Sequence, residues 1–130
     1  MGNKTRAFGL FLLAILASGL PMWFNSNHEH ENDATLTLAI PLLLTLLSRI
    51  TTKLRSRTIC FAVAAGAWIA MVIKIFIDLH YNPTSHNLFP FEVVIDGILI
   101  SLAALAGIAI GTIIERLRNW CKKGFHSKHQ

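Results

Sequence analysis

Four ionisable side chains, Lys74, Asp78, Glu92 and Asp96, fall inside or beside strongly apolar stretches of the chain, with His80 and His86 between them. Lys74 and Asp78 are four residues apart, as are Glu92 and Asp96, so on helices each pair shares one face a turn apart. A lysine set against carboxylates makes an interhelical ion pair. That is the expected remedy for a charge that costs about 2.5–3.5 kcal/mol at a bilayer centre. One lysine cannot neutralise three carboxylates, so the excess acids need water, a proton, a cation or a substrate. Histidine titrates near neutral pH and ligates transition metals. The six residues therefore outline a polar pocket that can accept a proton or metal ion. Alternatively, Glu92 or His86 acts as general base on a lipid-linked substrate, with Asp78 or Asp96 orienting it.

A second constellation is the segment "NSNHEHEND", where His28 and His30 alternate with Glu29 and Glu31. A His-x-His in extended chain puts both rings on one side, and imidazole with carboxylate suits zinc, copper, nickel or iron. A bound transition metal at His28 and His30 is the one cofactor considered; a short polar loop that is simply solvated is the competing reading. No zinc framework of Cys and His and no His-Glu-x-x-His helix is present.

These residues are held by elements that composition makes plain. Residues of the AVILMFWYC set make up 53% of the 130, charged residues 15%, and mean hydropathy is +0.52. The apolar residues come in runs at 7–24, 34–50, 58–79 and 93–114. Each is about the 17–25 residues a helix needs to cross a bilayer. Backbone amides find no water there, so each run is expected to be a helix. The fold class is all-α, a polytopic membrane four-helix bundle in one domain. Its helices are read at about 7–24, 34–50, 58–79 and 92–118, with outer loops at 25–33 and 80–91. Pro41 is expected to bend the second helix, and Gly124 to end the last one.

Basic residues set the orientation. Lys4 and Arg6 precede the first run; Arg49, Lys53, Arg55 and Arg57 surround the middle turn; Arg116, Arg118, Lys122, Lys123 and Lys128 follow the last run. Neither outer loop contains a lysine or arginine. By the positive-inside rule both termini and the middle turn lie inside. The net charge of +5 then attracts anionic headgroups on the inner face of the bilayer. It offers no nucleic-acid surface, because the cations are divided among separate juxtamembrane sites with no reader motif. The first run also resembles a secretory signal, with Ala17, Ser18 and Gly19 as a small-residue cleavage site, although it continues to an aromatic finish at Trp23 and Phe24. On this map Cys60 lies near the inner end of the third helix and Cys121 in the cytoplasmic tail, where a structural disulfide is not expected.

Helical spacing divides the faces. Ala103, Gly107 and Gly111 form a small-residue face on the fourth helix, with Asp96 above Gly107 and Ile95, Ile98, Leu102, Leu105 and Ile113 opposite. On the third helix Ala67, Met71, Lys74 and Asp78 share the inward face, while Trp68, Val72, Ile75 and Phe76 are expected to face away. In the loop between them, Leu88, Phe89 and Phe91 are expected to hold it as a lid, with Pro90 in the first turn of the fourth helix.

The string "PTSHNLFPFE" resembles a segment of small bacterial four-helix inner-membrane proteins. The resemblance covers about ten residues and the hydrophobic pattern, and it implies an inner-membrane location with no attached activity. Small multidrug transporters carry a membrane glutamate in their first helix, where this chain has no charge. Lipid phosphatases add arginines and a second histidine in separate motifs, and the outer segments here have no arginine to clamp a phosphate. The leading expectation is a structural or accessory subunit that forms a homo-oligomer or binds a membrane protein partner. Proton- or metal-coupled transport comes second and an outer-leaflet lipid enzyme third.

Overall fold

The structure, a computed structural model, describes residues 2–24, 30–81 and 89–126, and the side chains of 2–24, 35–81 and 90–121. The described residues form four α-helices: α1 (Asn3–Phe24), α2 (His30–Thr51), α3 (Ser56–Tyr81) and α4 (Phe89–His126). The architecture is all-helical. Both α1 and α3, and Pro90–Cys121 of α4, are long and apolar enough to cross a membrane, with mean hydropathies of 2.0, 2.2 and 2.5. In helix α2 the first turn is built from polar residues that were expected to form a loop. Among the residues whose side chains are described, its apolar part is Thr35–Thr51, and three helices are long and apolar enough to be candidate spans. At the other end α4 runs through Gly124 to His126. A glycine inside a helix lowers its stability by about 1 kcal/mol without dictating a stop.

Prolines are carried inside two helices, Pro21 in α1 and Pro41 in α2. Around buried Pro41 the hydroxyl of Thr45 donates to the Pro41 carbonyl at 2.8 Å and the Leu42 carbonyl at 3.0 Å. This is the back-bonding by which a threonine inside a helix satisfies its own hydroxyl in apolar surroundings. The turn at 52–55 reverses the chain between α2 and α3. Thr52 donates its amide and its hydroxyl to the Ser48 carbonyl at 2.9 and 2.7 Å. Leu54, 5% exposed, anchors the turn in a core of Leu10, Ala14, Ile59, Ala62 and Val63.

The most extensive packing joins α1 to α3 and α2 to α4, both non-consecutive pairs. Thr45 meets Gly107, and Arg49 meets Gly111 and pairs with Glu115, so positions on α2 and α4 advance together and the two helices run parallel. Helix α3 also meets α4, and α2 touches α1 and α3, while α1 and α4 make no contact among the described residues. The bundle is a rhombus in the order α1, α3, α4, α2, with α2 and α3 across its short diagonal. This up-and-down path brings the starts of α1 and α3 and the ends of α2 and α4 to one end. All described Lys and Arg except Lys74 gather there.

Close approach explains the small residues. A Cβ on Gly66 would lie 2.6 Å from the Phe11 carbonyl oxygen and 2.8 Å from the Ala14 Cβ, so α1 and α3 touch backbone to backbone. A Cβ on Gly107 would overlap Thr45 Oγ1 and the Leu42 carbonyl. Trp23 ties the other end of the α1 and α3 pair by donating its indole N–H to the Ala70 carbonyl at 3.2 Å.

Candidate functional site

Helix α3 is the most enclosed element, and its second half packs on the start of α4. Ala67, Met71, Ile75 and Ile100 form a buried core against which Val72, Leu79 and Val93 pack. That contact sets Lys74 and Asp78 on one helix beside Glu92 and Asp96 on its neighbour. All four are half-buried, and each is engaged by a hydrogen-bonding or electrostatic partner. His80 is exposed, its ring edge-on to that of Tyr81 with centroids 5.4 Å apart. His86 and Leu88 lie outside the described residues, as does His28. His30 is the first residue of α2, and its side chain, like that of Phe89, is also outside them. Phe91 is exposed, and Pro90 occupies the first turn of α4. Among the described residues no group of three or more His, Cys, Asp or Glu side chains stands close enough to hold a metal ion.

One expectation about α3 is corrected. Ile75, expected to face away, is 4% exposed. Helix α3 has neighbours on three sides, α1, α2 and α4, so a single inward stripe cannot describe it. Trp68 is exposed as expected, and it also donates its indole N–H to the Val93 carbonyl at 3.1 Å. Gly97 leaves the room: a Cβ there would lie 2.7 Å from the indole nitrogen. An indole N–H in apolar surroundings seeks an acceptor, and here it clasps α3 to α4. The resulting groove, about 590 Å³, is walled by Phe61, Ala65, Ile98 and Leu102.

On the fourth helix Gly107 and Gly111 are buried and Ala103 is half-buried, and the surface that receives them is α2. Ile95, Ile98, Leu102, Leu105 and Ile113 are each more than half exposed. The same four-residue series continues to Glu115, which sequence reasoning passed over. Arg49 Nη2 lies 2.6 Å from Glu115 Oε2, and Arg49 Nε donates to Thr112 Oγ1 at 3.4 Å. The signal was available. Glu115 is the sole acid among the basic segments, one turn beyond Gly111 on the small-residue face. Arg49 was read only as an orientation residue.

Chemically, the cluster at the end of α3 and the start of α4 offers carboxylates and an ammonium at the rim of a packed interface, and Arg49 with Glu115 offers a partly shielded ion pair. The described residues include no nucleophile poised against a base. Fold and charge distribution together define an all-helical bundle with three membrane-length helices and one basic end. No protein-family model, curated protein sequence or solved structure matches the chain.

Proposed function

We propose that this chain is a small multi-pass protein of a bacterial inner membrane, with both termini and its basic end on the cytoplasmic side. In that setting α2 crosses as a fourth span. It acts as a structural or accessory subunit, associating with copies of itself or with a membrane protein partner. The observation that carries this reading is the openness of α4. Only 17% of its most apolar window is buried in the bundle, against 44% for α3, and the outward residues form one continuous branched apolar face. A long helix held mainly along one edge by α2 has a face left over for a neighbouring helix.

Orientation is tested with Cys121, which is exposed. A membrane-impermeant thiol reagent should label it in inside-out vesicles and not in intact cells; the reverse pattern refutes the orientation. Association is tested by single cysteines at Leu102 and Leu105 on α4 and at Leu12 and Leu16 on α1, with oxidative cross-linking in the membrane. Adducts at the α4 positions alone support the subunit reading, and a monomer at every position contradicts it.

A second reading rests on the half-burial of Lys74, Asp78, Glu92 and Asp96 on adjoining helices. Four ionisable groups at an interface suit an outward-facing site for a proton or metal ion. It predicts flux in reconstituted vesicles that is lost in Asp78→Asn, and flux indifferent to that change would remove the cluster from any transport path.

A further inference from the structure

A cleft of about 780 Å³ opens between the first half of α1 and the last turns of α2, at the basic end. Its lining is mixed: Leu10, Leu13, Leu44 and Leu47 supply apolar surface, and the exposed Arg6 from α1 and Lys53 from the turn after α2 supply positive charge. Thr51 and Thr52 also line it, but their hydroxyls donate to the Leu47 and Ser48 carbonyls of their own helix, at 2.7 Å each. The two cations are therefore the groups best placed to bind an anion. The one acid at this end among the described residues, Glu115, is held by Arg49. The starts of α1 and α3 lie at this end and neither first turn holds an acidic residue; the ends of α2 and α4 lie there too, so the helix dipoles roughly cancel and the two cations carry the preference for an anion. Gly9 completes the wall: a Cβ built on it meets nothing within 4 Å, so a missing side chain enlarges the cleft.

We propose that this cleft binds one phospholipid with an anionic headgroup, its phosphate between Arg6 and Lys53 and an acyl chain along the leucine walls. A soluble anion would have no use for the leucines, and a neutral lipid none for the uncompensated cations. The inference rests on the membrane placement proposed above.

The test uses the full chain purified in neutral detergent and titrated with phosphatidylglycerol or phosphatidylcholine, bound lipid being counted by native mass spectrometry. One phosphatidylglycerol should be retained in preference to phosphatidylcholine. The double variant Arg6→Gln with Lys53→Gln should weaken it about twenty- to thirtyfold, about fivefold for each cation removed from an anionic lipid surface. Gly9→Leu, whose Cβ meets nothing and whose side chain adds apolar bulk to the cleft without changing charge, should abolish retention with the melting temperature kept. Arg116→Gln with Arg118→Gln, basic residues outside the cleft, should retain the lipid. Equal loss in that control pair would show general attraction to the basic end and overturn the proposal, as would retention in both cleft variants. Millimolar inorganic phosphate should leave the lipid bound; displacement would mark a free-anion site and overturn the lipid assignment. Cys121 labelling reads membrane orientation separately, so its failure is distinguishable from failure of the cleft.

Discussion

Gly107 is where the bundle has least room, and replacing it with alanine should separate α2 from α4. The new Cβ would overlap both the Leu42 carbonyl and Thr45 Oγ1. Neither can give way easily. The carbonyl belongs to the α2 backbone, and the Thr45 hydroxyl is held by its bonds to the Pro41 and Leu42 carbonyls. Overpacking of this kind costs about 1–3 kcal/mol, while glycine to alanine in a helix interior returns about 1 kcal/mol. The net expectation for Gly107→Ala is a loss of up to about 2 kcal/mol, toward the upper end because neither neighbour can give way. Gly66→Ala should follow it, since its Cβ would sit about 0.8 Å inside an ordinary 3.4 Å contact with the Phe11 carbonyl. Gly111→Ala should be milder, because the nearest atoms are the Arg49 Cβ and Cγ, 3.0 Å away, which can shift. Gly9→Ala meets nothing, and its propensity term alone should stabilise by up to about 1 kcal/mol. Unfolding by sodium dodecyl sulfate in mixed micelles, followed by far-ultraviolet circular dichroism, would rank the four. If Gly107→Ala is as stable as the parent, or Gly9→Ala is equally weakened, the close α2 and α4 contact does not hold the bundle together.

The Arg49 and Glu115 side chains are 21% and 33% exposed, so solvent screens their pairing to about 0.5–1 kcal/mol. A double-mutant cycle with Arg49→Met and Glu115→Gln should measure that coupling, and raising the salt concentration should shrink it; a coupling near zero at low salt would deny the pair any role in joining α2 to α4. Ser18 is 1% exposed and its hydroxyl is buried without a partner. Ser18→Ala should therefore raise stability by about 1 kcal/mol in the same micelle assay, and a clear loss would mean that the hydroxyl is satisfied.

Much of this architecture follows from one-dimensional pattern. Long apolar runs oblige the backbone to satisfy itself, which makes helices whatever their neighbours. Residue spacing along α4 assigned Gly107 and Gly111 to one face and Leu102 and Leu105 to the other without reference to a partner. Boundaries were less legible. The polar residues at the start of α2 and Gly124 near the end of α4 are weak helix formers by composition, and continuation from an established helix is enough to carry them. The face of α3 was misjudged at Ile75 because a helix with three neighbours has no single inward side.

By itself, then, the sequence determined an all-helical, strongly apolar chain, the division of its last helix into a small face and a branched one, and the segregation of basic from acidic segments. Those properties belong to each helix alone, being consequences of backbone hydrogen bonding, a 3.6-residue period and charge. Only the tertiary structure decided that Gly107 and Gly111 receive α2 rather than α3, that Arg49 meets Glu115, that Trp68 clasps Val93, and that Arg6 and Lys53 share one cleft. Each of those depends on which two surfaces fit in register, and the shape of a contact is a property of the pair.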